Sequence, residues 1–226
     1  MRYPVRKILE DQRDLLLFRP FRPDIRGHRD AYLAWGLLTT WLAGVGRYWD
    51  HPNAALWQYL GLGSVAYVFI LALVLWLIVA PLKASNWSYS GVLIFVMLTS
   101  LPALLYAIPV EMFLTLPQAQ FANVIFLAIV ATWRVALLVV FLRRGAKLSP
   151  FTTLVASLLP IAIIVTVLVV LNLEKAVFDI MGGNREGTQN DAANIILGLI
   201  AWLSILASPI LLGLYGMLVY QAQRRG

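Results

Sequence analysis

The chain has 226 residues, of which 61% are hydrophobic, with a mean hydropathy of +0.79 and a net charge of +7. Because ordinary soluble domains are about 45–50% apolar, this composition excludes a water-soluble fold and predicts an all-α polytopic membrane helix bundle. The basic residues cluster at the ends of apolar runs and in an N-terminal arm, so the positive charge predicts contact with anionic lipid and not with nucleic acid.

Residues 1–30 form a basic arm that we expect to be cytoplasmic. Its apolar residues recur at helical spacing between charged residues, which is typical of a helix lying on a membrane surface. The apolar positions of this predicted helix are Val5, Ile8, Leu9, Leu15 and Leu16. The basic side chains that we expect to contact anionic lipid are Arg6, Lys7 and Arg13. The alternative is a partly ordered tail.

Six apolar runs predict about six transmembrane helices in a single domain over 31–221, followed by a cytoplasmic tail at 222–226. The runs lie at 31–45, 54–81, 89–110, 121–142, 150–173 and 192–220. A helix needs about 20 residues to cross the hydrocarbon core, so the first run is short. A re-entrant or interfacial helix is the alternative for it.

The distribution of lysine and arginine sets the predicted orientation. With both termini cytoplasmic, the inner segments hold 14 of the 18 basic residues and the outer loops hold three. Because cytoplasmic loops carry an excess of basic residues, this bias favours six spans. We expect the location to be a bacterial cytoplasmic (inner) membrane. The longest connection, over 174–191, is predicted to be a solvated outer loop.

Three predicted spans contain a proline away from their ends, each closely preceded by a hydroxyl residue: Pro102, Pro160 and Pro209. Proline removes a backbone hydrogen bond and leaves the carbonyl four residues earlier without its usual donor. We therefore expect kinks at which a hydroxyl, a water or a neighbouring helix satisfies the open carbonyl. The carbonyls concerned are those of Leu98, Ala156 and Ile205.

Arg134 lies inside the predicted span 121–142 and is the main candidate for a binding residue. A charge within a membrane usually faces the bundle interior and finds a partner there. We expect Arg134 to donate to the carbonyls and hydroxyls near the three prolines, or to an anionic ligand. The alternative is an arginine on the lipid side whose guanidinium reaches the inner interface.

The residues that carry most enzyme chemistry are sparse. Cysteine is absent, which excludes disulfides, thiol nucleophiles and thiolate metal sites, and the two histidines lie far apart in sequence. No Ser-His-Asp set and no metal-ligand spacing is present, so we expect no catalytic residues, no metal and no cofactor. For an enzyme acting on lipid, the inner-side candidates are Asp24, His28 and Asp30.

Within residues 88–173, an apolar helix with a central Trp133 is followed by a basic turn and then by Leu148-Ser149 before a long aliphatic helix. This pattern resembles the Yip family of small polytopic membrane proteins. The span over 91–109, with Ser100-Leu101-Pro102 near its middle, is similar to the preceding span of that family. The family typically has five spans, whereas six are predicted here. The resemblance implies a non-enzymatic membrane protein that works through protein or lipid partners.

These observations favour a membrane scaffold or an assembly or trafficking partner, with lipid and either another protein or a second copy as partners. Two alternatives remain open. A small transporter or channel subunit would use Arg134 and the kinked spans. An intramembrane enzyme acting on lipid would need a carboxylate or histidine clustered at one interface.

The predicted threading can be tested with topology reporters. Fusions at positions 50, 115 and 185 should read external, and fusions at 85, 146 and 226 should read internal. An internal signal at 50 together with an external N-terminus would contradict the six-span count.

Overall fold

The computed structural model describes residues 5–21, 23–49, 54–173 and 191–224, which leaves nearly all of the predicted 174–191 loop outside the described residues. Within these ranges the chain is all-helical. The helices are α1 (Val5–Leu16), α2 (Ile25–Tyr48), α3 (Leu56–Tyr59), α4 (Leu62–Val79), α5 (Tyr89–Leu98), α6 (Leu116–Arg144), α7 (Pro150–Val170) and α8 (Asp191–Arg224). Short 3₁₀ segments lie at Ala80–Leu82, Leu101–Ala107 and Val110–Met112.

In the described part of the chain, five helical segments are long and apolar enough to cross a membrane. They are Leu62–Leu82, Tyr89–Met112, Pro117–Arg144, Pro150–Val170 and Gly198–Arg224. These segments confirm the prediction of a multi-pass helical membrane protein. Helix α2, which contains the predicted first span, is not among these five segments.

Helix α2 nevertheless runs alongside the Tyr89–Met112 segment from one end to the other. Its first residue, Ile25, lies beside the start of α5. In the middle, the hydroxyls of Thr40 and Ser100 are 3.1 Å apart. Beyond the last turn, the indole of Trp49 donates to the carbonyl of Ala107 at 3.0 Å. Helix α2 is kinked at His28, and the 20 residues from Arg29 to Tyr48 that follow the kink extend about 30 Å, a length comparable to that of a candidate span.

Two of the predicted spans are interrupted. The span predicted over 54–81 divides at Gly61, which has a φ of 65° in the left-handed region. A Cβ atom at Gly61 would lie 2.9 Å from the carbonyl oxygen of Trp41, so the turn also brings α2 close. The span predicted over 89–110 leaves the α-helix at Leu98 and continues past Pro102 as a 3₁₀ segment. By contrast, Pro160 and Pro209 lie inside α7 and α8, which continue on both sides.

Helix α5 is the centre of the bundle. Every residue from Val92 to Leu98 is buried, and 56% of the apolar window in Tyr89–Met112 is buried, against 11% for Pro117–Arg144 and 17% for Gly198–Arg224. The ends of α6, α7 and α8 agree with the predicted spans to within a helical turn or so. Helices α6 and α8 therefore lie at the periphery of the bundle.

Candidate functional site

Helix α1 packs into the bundle and does not lie wholly on its surface. Ile8 and Leu15 are buried in the core with the central helices, whereas Val5 and Leu9 are exposed. The predicted membrane-facing set therefore divides between two faces of α1. The buried stripe follows helical spacing, and its two middle positions hold the polar residues Asp11 and Gln12. These two residues form the most unusual cluster in the described structure.

Gln12 satisfies the carbonyl that Pro102 leaves open. Its Nε2 atom donates to the carbonyl oxygen of Leu98 at 2.9 Å, and its Oε1 atom accepts from the indole of Trp35 at 2.7 Å. The Gln12 residue is only 1% exposed. One amide thus joins α1 to α2 and α5 where the α-helix of the central span ends. The sequence predicted an open carbonyl at Leu98 but not this partner.

Asp11 is a buried carboxylate with two donors. The hydroxyl of Tyr32 donates to its Oδ2 atom, and the ammonium of Lys7 lies 2.7 Å from its Oδ1 atom. A buried charge is costly unless it is paired and hydrogen-bonded, and both conditions hold here. Lys7, predicted as a lipid contact, is therefore also the counterion of Asp11. Arg6 and Arg13 pair with Glu10 and Asp14 and remain exposed.

Two further hydrogen bonds hold the end of α1 against α6. The indole of Trp133 donates to the carbonyl of Leu16 at 3.0 Å, and the guanidinium of Arg144 donates to the carbonyl of Phe18 at 2.7 Å. Helix α1 is thus connected to α2, α5 and α6. A carbonyl at the end of a helix has no intrahelical donor, so both bonds satisfy groups that would otherwise need water.

The hydroxyls beside the prolines link helices in two of the three cases. Ser100 contacts Thr40, which joins the central span to α2. Ser208 contacts Thr166 at 2.9 Å, which joins α8 to α7. Ser157, near Pro160, is buried, and its hydroxyl has no partner among the described residues. The sequence pattern therefore indicates hydroxyl groups that can bond between helices. Which helix each hydroxyl contacts is seen only in the folded structure.

Arg134 lies against an aromatic ring. Its guanidinium carbon is 5.8 Å from the centre of the Tyr67 ring on α4, within the range of a cation–π contact. Arg47 is placed similarly, 4.8 Å from the centre of the Tyr106 ring. The carbonyl of Leu98, one of the partners expected for Arg134, bonds Gln12 instead. Arg134 is half-buried, so it lies neither in the fully packed core nor fully exposed.

The structure brings together two of the three residues named for a lipid-acting enzyme. The Nδ1 atom of His28 lies 3.0 Å from Oδ2 of Asp24, while Asp30 is exposed outside this pair. The backbone amide of Gly27 and then the His28 side chain hold the pKa of Asp24 below its usual value. This carboxylate caps the N-terminus of α2. In the described ranges, no group of three or more His, Cys, Asp or Glu residues could hold a metal ion.

Helix α8 has glycines that no other described part of the chain packs against. Among the described residues, a Cβ atom built on Gly213 or Gly216 would have no neighbour within 4 Å. The other helices differ, since a Cβ on Gly36 would lie 2.7 Å from Cβ of Met97. Large apolar side chains share the open face of α8 with these glycines. They include Leu203, Leu206, Ile210, Met217 and Tyr220.

No protein-family model, curated protein or solved structure matched this chain in the comparisons.

The Gln12 contact can be tested by substitution. Gln12→Leu keeps the volume but leaves the Leu98 carbonyl and the Trp35 indole without partners. Each orphaned buried group costs about 1–3 kcal/mol, so thermal stability in detergent should fall and protease should cut the N-terminal arm faster. The matched control is Glu10→Leu on the exposed side of α1, which should change stability little. Equal stability of both variants would contradict the contact.

The Arg134 contact predicts a graded series. Arg134→Leu should lower the free energy of unfolding by about 0.5–2 kcal/mol, because the cation–π contact is lost. Arg134→Lys should lower it less, because lysine keeps the charge. Tyr67→Leu should have little further effect in the Arg134→Leu background, whereas Tyr67→Phe should behave as wild type. Additive losses for the Leu double variant, or a neutral Arg134→Leu, would show that the arginine does not depend on this ring.

Proposed function

We propose that this protein is a non-enzymatic integral membrane protein that acts as a scaffold or assembly partner, binding a helix of another membrane protein or of a second copy through α8. The observation that carries the proposal is the pair Gly213 and Gly216, around which the chain itself leaves open space. Glycine inside a helix is about 1 kcal/mol less favourable than alanine. No packing contact among the described residues accounts for that cost.

A packing reason exists if another helix approaches. Small residues let the backbones of membrane helices come close together, which strengthens van der Waals contact between them. The open face also continues beyond the glycines through Ile210, Met217 and Tyr220, which follow one another at helical spacing and are all exposed. The face is therefore long enough for a partner helix to contact it over several turns.

The contacts inside the bundle support a scaffold more than a conduit. The two polar residues on the buried face of α1 bond to neighbouring helices, Asp11 to Tyr32 and Gln12 to Leu98. Arg134, on which the transporter alternative rests, contacts Tyr67. Asp24, on which the enzyme alternative rests, caps a helix. The Yip resemblance over 88–173 agrees with a protein that works through partners.

The proposed threading has six crossings, with both termini on the cytoplasmic side of a bacterial inner membrane. Support for the sixth crossing comes from α2, whose contacts follow Tyr89–Met112 from Ile25 to Trp49. Support for the orientation comes from the ends of the bundle. Arg144 bonds the carbonyl of Phe18, so the basic turn and the arm lie at the same end, as the charge distribution requires.

Leucine substitutions on α8 test this function. Gly213→Leu with Gly216→Leu should leave thermal stability unchanged or raised, because each new side chain enters open space. The same change should block close approach of a partner helix. Because the chain has no cysteine, a single cysteine at Ile210 reports the approach by cross-linking in native membranes. The product mass distinguishes a second copy from another protein.

The expected result is a discrete cross-linked product that the leucine pair reduces severalfold. The matched control is Gly36→Leu, which should destabilise the monomer because its side chain would meet Met97. Cross-linking that is absent, or unchanged by the leucine pair, would contradict the proposal. Loss of stability in the leucine pair would show instead that these glycines pack within the chain.

A further inference from the structure

An open groove of about 520 Å³ lies at the end of the bundle that carries the basic turn. Three segments that follow or precede membrane helices line it: 82–85 after α4, 146–152 between α6 and α7, and the last turns of α8. The volume falls in the range of small-molecule sites, roughly 300–1,000 Å³. None of the contacts that join α1 to the bundle uses these residues, and neither does the glycine face of α8.

The groove is cationic. Lys83 and Lys147 line it, and none of the residues lining it is acidic. In the part of the chain that the structure describes, neither ammonium group forms an ion pair. Neutral hydrogen-bonding side chains complete the polar lining: Ser85, Ser149, Thr152 and Gln221. The lining thus combines two free positive charges with hydroxyl and amide groups, which suits a phosphate oxygen.

The fold holds the two lysines on adjoining turns. Lys83 and Lys147 have φ angles of 52° and 55°, so each follows a helical segment in the left-handed conformation that reverses the chain. The amide of Ser85 donates to the carbonyl of Ala146 at 3.2 Å, which ties one turn to the other. Arg143 braces the second turn by donating to the carbonyl of Leu148 at 3.0 Å. Two lysines 64 positions apart in sequence are therefore presented to one groove.

One side of the groove continues into an apolar wall. Phe151 belongs to the lining and is 47% exposed, and Leu154 and Leu158 follow it along the same side of α7 with 54% and 40% exposure. The spacing of these residues places them one above another along the membrane-crossing part of the helix. A soluble anion would not contact this apolar wall, whereas an acyl chain attached to the anion would pack against it.

We propose that this groove binds the phosphodiester headgroup of an anionic phospholipid, with Lys83 and Lys147 on the phosphate and an acyl chain along Phe151, Leu154 and Leu158. The charge selects an anionic lipid over a zwitterionic one, because no lining carboxylate is present to pair with a choline or ethanolamine cation. The apolar wall selects a lipid over a free phosphate ester.

Native mass spectrometry of the full chain, released from detergent after addition of lipid, tests the site. Wild type should retain one phosphatidylglycerol and retain phosphatidylcholine at least about fivefold less. Lys83→Gln with Lys147→Gln should lower phosphatidylglycerol retention about tenfold, since two charge-assisted contacts are lost. Lys83→Arg with Lys147→Arg should keep it. An unchanged melting temperature and elution volume show that the glutamine variant is folded. If the glutamine variant does not fold, the arginine variant still tests the site.

The matched control removes the same charge elsewhere. Arg19→Gln with Arg29→Gln affects exposed residues outside the groove, and it should retain phosphatidylglycerol as wild type does. An equal loss of phosphatidylglycerol retention in this control would contradict the proposed site and would indicate a general attraction between the basic residues and anionic lipid. Glycerol 3-phosphate should stabilise wild type far less than the lipid does. Equal stabilisation would overturn the lipid in favour of a free phosphate ester.

Discussion

The bundle depends on one unsatisfied backbone group. Pro102 cannot donate to the carbonyl of Leu98, and that carbonyl lies in the middle of a segment that is apolar enough to cross a membrane. In hydrocarbon an unpaired carbonyl costs several kcal/mol, because water does not reach it. Gln12 supplies the missing donor. The position of α1 follows from that bond, since the amide reaches Leu98 only if the helix that carries it enters the bundle.

The other polar contacts of α1 offset the cost of burying its polar side chains in the bundle. Asp11 follows Ile8 on the buried stripe and would be a costly charge without Tyr32 and Lys7. The end of the helix is held by Trp133 and Arg144 of α6. Helix α1, whose buried face has polar residues at its middle, therefore forms an internal part of the membrane domain. Its charged residues remain at the surface, where they can also meet lipid.

The same packing leaves the periphery open. Helix α5 packs mainly on α2 and α4, with single side-chain contacts from Gln12 of α1 and Phe141 of α6. By contrast, α8 packs chiefly on α7 and keeps Gly213 and Gly216 exposed. At one end, the turns after α4 and α6 leave a groove with two lysines. These features underlie the two proposals of partner binding and headgroup binding. They concern different residues, so either proposal can fail without the other.

The sequence by itself determined the class of protein, because apolar runs of membrane length and a mean hydropathy of +0.79 need no tertiary information to interpret. It also indicated that Pro102 would open the Leu98 carbonyl, since that is a local property of the backbone. Only the tertiary structure shows which group donates to the Leu98 carbonyl, because Gln12 lies 86 residues away in sequence. The choice of Tyr67 for Arg134 is of the same kind. Local patterns set hydrophobicity and helix breaks, whereas the partner of a buried polar group depends on which helices pack side by side.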